Sequence, residues 1–383
     1  MKKLMFFSSF LGINFDDVSE ESRVWYLRNY ESYFDEVYYV LLAGKSYSSY
    51  KVGNTTLISF GTENNKLDLL LAPFRLFKIA RKIRPTTYIT YELTFSWWIA
   101  LLIKVFLRAK IYLFPFCIPE VAYNSGITIS NKFPVWFERF LIKLNYLFVD
   151  NVITSRALGS CVEWFSLDPN ISRKLLVADM LPEATPPPYF FKMVETAKKN
   201  KFAKDPKYDS ESFKMVYVGR LHKAKMVDHL IKMMGILKNK APVRLYLIGE
   251  GAERENLEKM AKDLGVADSV SFLGYVSNGD LPKYFLQFDV FVSPVTGSSF
   301  REAALCGLPI VAYDMDWVQG LPNKESAFIS VPEGDYKAMA NAIMRLAEDQ
   351  NLCRQLSENA ENLARQLWSP SLIKNSLQQM FGN

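Results

Sequence analysis

The chain has 383 residues, more than a single hydrophobic core usually contains, and this length predicts two domains. Its composition, 49% hydrophobic and 22% charged, is that of a globular protein and excludes a disordered or low-complexity chain. The net charge of +6 is unevenly spread, since residues 66–110 hold nine Lys and Arg against two acidic residues, a local balance of +7.

Cysteine usage and hydropathy limit the class of protein further. The cysteines form no C-x-x-C pair, so the sequence predicts no metal site, no disulfide framework and a cytoplasmic location. The apolar start, KLMFFSSF, lacks a cleavage site, and we interpret it as the first buried strand rather than a signal peptide. The longest apolar stretch, residues 95–107, contains Lys104 and is too short to cross a bilayer core of about 30 Å. The cysteines are Cys117, Cys161, Cys306 and Cys353.

The first half alternates short apolar runs with amphipathic segments, a pattern typical of a parallel sheet covered by helices. The runs are KLMFFSSF, VYYVLLAG, TTYITYE, KIYLFPF and VDNVITSR. A proline run and then a charged run, LPEATPPPYFF and KKNKFAKDPKYDSES, interrupt the pattern. We therefore assign residues 1–190 to an N-terminal Rossmann-like α/β domain and residues 191–212 to a linker.

The alternation restarts after the linker with KMVYVGR and continues through VRLYLIGEG, SVSFLGYV, DVFVSPV and GLPIVAYD. Five strands in about 100 residues, separated by helical patterns, predict a second doubly wound domain over residues 213–365. Residues 366–383 are expected to form a C-terminal helix that packs back on the first domain, with Trp368 as its anchor.

Charged residues stand at the predicted end of the first strand of this second domain. Gly219 and Arg220 close that strand, and Lys225 follows as the next helix begins. In doubly wound sheets, ligands bind at the carboxyl ends of the strands, where cations and amide groups can hold a diphosphate. The alternative is that both are ordinary solvated surface charges.

A Gly/Ser loop, residues 296–301, leads into the helix that contains Glu302. Glycine permits close backbone approach, the serines can cap the helix, and Glu302 is expected in the first turn. A carboxylate there can accept hydrogen bonds from the vicinal hydroxyls of a ribose. The alternative is a capping box, in which Glu302 bonds back to the serine at the helix cap.

Three stretches in this order, VGRLHKAK, LYLIGEGAERENLEKMAKDLGVADSVSFLGYV and FREAALCGLPIVAYD, resemble the donor domain of family 4 retaining glycosyltransferases, within the glycosyl transferases group 1. The resemblance is strong over residues 213–350 and architectural elsewhere. It implies a GT-B fold, in which two Rossmann-like domains face each other across a cleft. The second domain would bind a nucleotide-sugar donor, and the first would bind the acceptor.

The resemblance also assigns roles to residues. Arg220 and Lys225 would neutralise the donor diphosphate, Glu302 would hold the ribose, and Tyr275 and Val276 would border the base. Backbone amides of the Gly/Ser loop would approach the phosphate or the sugar. The residues assigned to donor binding are Gly219, Arg220, Lys225, Gly249, Gly251, Tyr275, Val276, Gly297, Ser298, Ser299, Phe300 and Glu302.

Some positions depart from the family pattern. Pro294 replaces an additional Glu, which puts the contact to the sugar hydroxyls in doubt, and Met226 replaces a common glycine. The family's histidine in the first domain has no counterpart, because the two histidines, His222 and His229, both lie in the second domain. Candidates for that place are the loop carboxylates Glu92 and Glu120, and Gly12 is a weak match to the acceptor loop. The expected catalytic set is Arg220, Lys225, Glu92 and Glu120.

Two predicted helices of the first domain combine cations with large apolar side chains. Cationic helices rich in Trp and Phe suit the interface of an anionic membrane. The alternative is that these helices simply cover the sheet and leave their cations in water, but the local charge excess favours a peripheral membrane location. The residues concerned are Arg75, Lys78, Lys82, Phe95, Trp97, Trp98, Lys104, Phe106, Arg108 and Lys110.

The sequence therefore predicts a glycosyltransferase that moves a sugar from a UDP-sugar or GDP-sugar to a saccharide or lipid-linked acceptor at the cytoplasmic membrane face. Synthesis of a surface polysaccharide or lipopolysaccharide is the expected context. One alternative is a UDP-sugar 2-epimerase of the same fold, although no matching cluster of His and acidic residues is present. Another is a catalytically silent nucleotide-binding scaffold. Nucleic-acid binding is disfavoured, because the cations alternate with large apolar residues and no recognised motif is present.

Overall fold

The structure, a computed structural model, describes residues 1–8, 26–41, 47–59, 66–90, 97–114, 144, 146–155, 166–167, 169–178, 186–199, 211–295 and 297–382. The chain folds into two compact units. The first contains residues 1–184 together with residues 371–383, and the second contains residues 185–370.

The first unit is built on an eight-stranded sheet with the order β3-β4-β2-β1-β5-β6-β7-β8. All neighbouring strands are parallel except β3, which pairs antiparallel with β4 at one edge. The strands are β1 (Lys3–Ser8), β2 (Glu36–Leu41), β3 (Ser48–Val52), β4 (Thr55–Ser59), β5 (Thr87–Thr90), β6 (Lys110–Leu113), β7 (Asn151–Ser155) and β8 (Leu175–Ala178).

Helices cover this sheet through their apolar faces. Leu76 and Ala80 of one helix and Ile103 of the next pack in a single buried cluster with strand residues such as Met5 and Ile111. Helices of this unit include α1 (Lys66–Ile83), α2 (Trp97–Leu107) and α3 (Pro169–Ser172), with a 3-10 helix at Tyr26–Ser32.

The C-terminal residues pack into the first unit through one aromatic side chain. The ring of Phe381 lies 4.9 Å from the ring of Tyr112 and 5.3 Å from that of Phe34, measured between centroids. The Tyr33 hydroxyl also donates a hydrogen bond of 2.7 Å to the Phe381 carbonyl oxygen. Trp368, the expected anchor, is instead buried within the second unit, where the guanidinium carbon of Arg301 lies 5.6 Å from its ring centroid.

The second unit contains a six-stranded, fully parallel sheet with the order β11-β10-β9-β12-β13-β14. Its core strands read as continuous apolar runs because helices cover both faces of such a sheet. The strands are β9 (Phe213–Val218), β10 (Val243–Ile248), β11 (Val270–Gly274), β12 (Val290–Ser293), β13 (Ile310–Tyr313) and β14 (Ile329–Val331).

The helices of the second unit alternate with these strands. They are α4 (Pro188–Lys199), α5 (Val227–Leu237), α6 (Arg254–Asp263), α7 (Leu281–Phe285), α8 (Ser298–Cys306), α9 (Asp316–Gln319), α10 (Lys324–Ala327), α11 (Tyr336–Glu348) and α12 (Gln350–Leu367). Short 3-10 helices lie at Lys223–Lys225 and Ala267–Ser269. The last helix, α13 (Pro370–Phe381), leads into the first unit.

The predicted pair of Rossmann-like parallel α/β domains is confirmed, with differences in detail. The second sheet has six strands rather than five, because the short strand β14 extends its edge. Helix α4 also runs into residues 191–199 of the expected linker, since Phe191, Val194 and Ala197 are buried at helical spacing. A proline run before a helix and the charged run after it made this segment resemble a linker in the sequence.

Candidate functional site

Two chain segments meet where the strand order of the second sheet reverses. β10 and β11 lie on one side of β9, and β12, β13 and β14 lie on the other. At such a reversal, the loops that leave two adjacent strands turn in opposite directions and open a crevice at the carboxyl edge, the usual ligand site of this sheet type. The residues after β9 and the helix after β12 border this position.

The loop after β9 is held against the loop after β10 by backbone contacts. The Gly219 N–H donates to the Ile248 carbonyl oxygen (3.0 Å), and the Leu221 N–H donates to that of Glu250 (2.9 Å). Gly249 has a φ of +138°, and a Cβ there would lie 1.9 Å from the Gly219 carbonyl oxygen. Only glycine allows this approach of the two backbones.

Gly251 allows a second close approach of the same two loops. Its φ is +155°, and a Cβ at this position would lie 2.3 Å from the Leu221 carbonyl oxygen. The loop after β11 is bonded to them as well, since the Gly249 N–H donates to the Gly274 carbonyl oxygen at 2.8 Å. The structure thus places Gly249 and Gly251 in support of the loop after β9, and their contact with a donor stays a prediction.

Arg220 and Lys225 bring two positive charges to this loop. Arg220 is exposed, and Lys225 is half-buried at the end of the 3-10 helix Lys223–Lys225. Burial lowers the pKa of Lys225, and the neighbouring charge of Arg220 lowers it further. Neither cation forms an ion pair in the part of the chain that the structure describes. A partly desolvated cation beside a second one favours an anion as its partner.

Tyr217, near the end of β9, supports the loop that follows this strand and was not predicted from the sequence. Its hydroxyl donates a hydrogen bond of 3.3 Å to the Arg220 carbonyl oxygen. Burial raises the pKa of this hydroxyl far above its usual range, so it stays protonated and able to donate. A Cβ at Gly219 would lie 2.5 Å from the same hydroxyl, which explains the glycine there. The one available signal was a tyrosine inside the otherwise aliphatic end of β9.

His222 and Met226 shape the turn that carries Lys225. The Nδ1 atom of His222 accepts a hydrogen bond of 3.2 Å from the Ala224 N–H and so caps the turn. Met226 follows in the left-handed conformation, with φ +50° and ψ +34°. This backbone explains why glycine is common at this place in the family pattern. Here the strain, about 1 kcal/mol, is offset by packing of the Met226 side chain against the core.

Helix α8 begins on the other side of the strand-order reversal. Gly297 is its N-cap, with no side-chain hydrogen bond to the first turn, and the space beside its Cα is open. The Ser299 hydroxyl donates a hydrogen bond of 2.8 Å to the Val218 carbonyl oxygen at the end of β9. Ser299 therefore braces the site through its side chain. The Phe300 N–H is already bonded to the Gly297 carbonyl oxygen (3.2 Å), so the amides of Ser298 and Ser299 are those placed to face an anion. Thr296 lies outside the described residues.

Glu302 is the fifth residue of α8 rather than a residue of its first turn. The expected alternative, a capping box, is not formed, because the helix starts at Ser298 after a glycine cap. Glu302 is only 1% exposed, and the Asn278 side-chain amide donates to its Oε1 atom at 3.4 Å. Asn278 follows β11 at the same edge of the sheet, and the sequence analysis did not single it out.

Tyr275 and Val276 directly follow β11. Tyr275 is 49% exposed, a large value for an aromatic side chain, and Gly274 before it has a φ of +76°. Both residues belong to the segment that also carries Asn278, so the same loop reaches Glu302. Phe300, in contrast, is buried against Phe328 at 4.8 Å between ring centroids, and its side chain serves the core.

The expected site residues of the first unit, Gly12, Glu92 and Glu120, lie outside the described residues. Among the residues that the structure does describe, no three His, Cys, Asp or Glu side chains converge as metal ligands would. No helix within the same ranges is both long and apolar enough to cross a membrane.

Comparisons with known proteins show which proteins this chain resembles. Residues 198–363 match the model of the family Glycosyl transferases group 1. Over 170 residues the chain is 27% identical to the poly(glycerol-phosphate) alpha-glucosyltransferase of Bacillus subtilis. That match covers 43% of this chain and 25% of the relative. Over 177 residues it is 29% identical to the lipopolysaccharide core biosynthesis glycosyltransferase LpsD of Rhizobium meliloti. That match covers 45% of this chain and 50% of LpsD. The chain thus spans half or less of these curated relatives.

Solved structures resemble this chain in architecture. HepE of Anabaena, solved in complex with UDP, superposes with a TM-score of 0.71 over all of both chains at 16% identity. Structural likeness at this identity establishes the architecture, two Rossmann-like units of the kind found in GT-B glycosyltransferases. Residues 198–363 therefore match the Glycosyl transferases group 1 family, within a chain that has the GT-B fold.

Proposed function

We propose that this protein transfers a sugar from a nucleoside-diphosphate sugar to a saccharide or lipid-linked acceptor. The observation that carries the proposal is the pair of cations after β9. Arg220 is exposed, Lys225 is half-buried with a lowered pKa, and neither has a carboxylate partner among the described residues. They stand at the strand-order reversal beside the N-terminus of α8, which together suit a diphosphate.

The remaining donor contacts follow from the same placement. Glu302 would accept hydrogen bonds from the ribose hydroxyls in exchange for some of its bonding to Asn278. Tyr275 and Val276 would border the base, and the amides of residues 297–300 would approach the phosphate or the sugar. A UDP-sugar or GDP-sugar is the proposed donor, and the likeness to HepE, which was solved with UDP, supports the former.

The chemistry requires stabilisation of the leaving group rather than a strong protein nucleophile. As the bond between the anomeric carbon and the phosphate oxygen breaks, negative charge grows on the nucleoside diphosphate, and the acceptor hydroxyl loses its proton as its oxygen bonds to that carbon. Arg220, Lys225 and the α8 amides would stabilise the growing charge. Retention of configuration and membership of family 4 rest on the sequence resemblance, and so do the roles of Glu92 and Glu120.

The acceptor and its location extend the proposal beyond the donor site. LpsD is a lipopolysaccharide core enzyme by name, and the Bacillus subtilis relative acts on poly(glycerol-phosphate) by name. We therefore place the activity in synthesis of a surface polysaccharide or lipopolysaccharide, at the cytoplasmic face of a membrane. The exposed cations of α1 and of the residues that follow α1 and α2 support the membrane location.

One experiment separates this function from its alternatives. The purified chain is incubated with a panel of UDP-sugars and GDP-sugars, with and without saccharide and lipid-linked acceptors, and the products are identified by mass spectrometry. Nucleoside diphosphate release together with a glycosylated acceptor would support the transferase. Conversion of the donor sugar without any acceptor would indicate an epimerase. Nucleotide binding without turnover of any donor would indicate a silent scaffold.

A further inference from the structure

Helices α1 and α2 expose a row of apolar side chains. Phe74 and Phe106 are each 66% exposed, and Val105 is 58% exposed. Phe77 joins the two helices, because its ring packs edge-to-face on that of Phe106 with 5.7 Å between centroids. We call these four residues the apolar ridge. Exposed aromatic side chains grouped in this way usually mark an interaction surface.

Exposed cations lie on α1 and at the residues that follow α1 and α2, close in sequence to the apolar ridge. Arg75 and Lys78 share the α1 surface with Phe74, and Arg108 follows Phe106 by two residues. Lys104 of α2 is only partly exposed, and its ammonium group is bonded to the Asp150 carboxylate (2.7 Å) and the Phe148 carbonyl oxygen. The exposed cations of α1 and of the connections from α1 and α2 into β5 and β6 are Arg75, Lys78, Arg81, Lys82, Arg84, Arg108 and Lys110.

Two of these cations occupy strained backbone positions. Arg84, the residue after α1, has φ +54°, and Arg108, the residue after α2, has φ +53°. Each closes its helix through its backbone N–H, which donates to the Ala80 and Lys104 carbonyl oxygens respectively. Glycine is the usual residue at such a left-handed helix end. Both helices lead into neighbouring parallel strands, so the two arginines lie at the same edge of the sheet.

We infer that the apolar ridge and its cations are a docking surface for an anionic lipid membrane. The cations would contact lipid phosphates while Phe74, Val105 and Phe106 enter the acyl boundary. A second copy of this chain is disfavoured as the occupant, because the seven cations would face seven others. Phe74, Val105 and Phe106 are each more than half exposed, which suits insertion into a deformable bilayer better than binding to a preformed protein pocket.

This inference deepens the membrane location in the proposed function, but it does not depend on sugar transfer. Co-sedimentation is measured with vesicles of phosphatidylcholine alone and with vesicles that also contain phosphatidylglycerol. We expect binding to the anionic vesicles only, weakened when salt shortens the screening length to about 3 Å. Absence of binding to anionic vesicles at low salt would overturn the docking surface, even if nucleotide binding were intact.

Substitutions separate the apolar from the cationic contribution. Phe74→Ser combined with Phe106→Ser should weaken anionic vesicle binding at least tenfold, whereas Leu264→Ser, a matched exposed residue of the second unit, should not. If the phenylalanine pair instead abolished a concentration-dependent dimer while vesicle binding was unchanged, the surface would be an interface between copies.

The arginines at the helix ends give a test that does not depend on a destabilised variant. Arg84→Gly and Arg108→Gly place the preferred residue in a left-handed position, so the melting temperature should be unchanged or raised. Each should weaken vesicle binding about fivefold, the equivalent of about 1 kcal/mol per cation. Asn323→Gly, at φ +53° in the second unit, is the matched control and should leave binding unchanged. Equal vesicle affinity in the arginine variants and the control would contradict the inference.

Discussion

The hydroxyl of Ser299 donates a hydrogen bond of 2.8 Å to the carbonyl oxygen of Val218. Val218 is the last residue of β9 and Ser299 is the second residue of α8, so this bond joins the two sides of the strand-order reversal. Gly219 and Arg220 come next along the chain. The bond therefore fixes the cationic loop with respect to the amides at the start of α8.

Loss of the hydrogen bond between Ser299 and Val218 should weaken nucleotide binding without disrupting the core. Ser299→Ala leaves the Val218 carbonyl oxygen without its hydroxyl donor, and we expect a loss of about 1 kcal/mol in the free energy of unfolding. Nucleoside diphosphate affinity should fall severalfold, because the loop and the helix are no longer held together. Ser298→Ala is the matched control in the same turn. Calorimetric affinities equal in both variants would argue against the brace.

The lowered pKa of Lys225 predicts a pH-dependent affinity. A bound diphosphate stabilises the ammonium form of Lys225 and raises its pKa. At a pH where Lys225 of the free protein has partly lost its proton, binding is therefore accompanied by proton uptake. Affinity should therefore be highest below the lowered pKa and decline with rising pH, starting below the ordinary lysine value of 10.5. Titrations between about pH 7 and 10 should show this decline in the native protein. Lys225→Arg should flatten it, since arginine stays charged.

Glu302 predicts selectivity for ribose over deoxyribose. Its carboxylate is buried beside Asn278, and a lost hydroxyl partner in such a site costs about 1–3 kcal/mol. UDP should therefore bind about tenfold or more tightly than its 2′-deoxy analogue. Glu302→Gln, which is similar in shape but uncharged, should reduce that ratio. A ratio that is the same in the variant and the native protein would remove Glu302 from the ribose site.

Phe381 predicts that the C-terminal residues stabilise the first unit. Its ring packs against Tyr30, Phe34 and Tyr112, and its carbonyl oxygen accepts the Tyr33 hydroxyl. Phe381→Ala should cost about 3–5 kcal/mol in the free energy of unfolding, the usual range for a buried phenylalanine. Tyr33→Phe, which removes only the hydrogen bond, should cost about 1 kcal/mol. Denaturant unfolding of both variants would test whether packing outweighs the hydrogen bond.

The parallel sheets could be predicted because their strands read as continuous apolar runs between helical patterns. The antiparallel hairpin of β3 and β4 was not predicted. Its edge strand is polar, and the turn at Gly53, with φ +57°, gives a weak signal beside the stronger runs. The short strand β14 was missed for a similar reason, since three residues are too few to show an alternation of apolar and polar side chains.

The cations of the site could be predicted because Arg220 lies just after a strand and Lys225 lies in the connection that follows, where ligands bind. The groups that hold them in place could not. Asn278 and Ser299 contact groups that are far away in the sequence, and the Tyr217 hydroxyl turns back to the nearby Arg220 carbonyl oxygen, which a tyrosine in a strand does not by itself indicate. Glu302 was expected in the first turn of α8 but lies just beyond it, because the start of α8 at Ser298 depends on the backbone of Gly297.

The most direct test of the central claim is nucleoside diphosphate binding by the native protein and by Arg220→Ala and Lys225→Ala. Melting temperatures are compared with and without UDP, GDP, ADP, CMP and dTDP, since a ligand of the folded state raises the midpoint according to its affinity. We predict stabilisation by UDP or GDP that each variant reduces, equivalent to a loss of about 1.5–3 kcal/mol in binding. Lys223→Ala, an exposed cation of the same turn, should behave like the native protein. No stabilisation by any of these nucleotides, or equal stabilisation in all variants, would contradict the assignment of this crevice as the donor site.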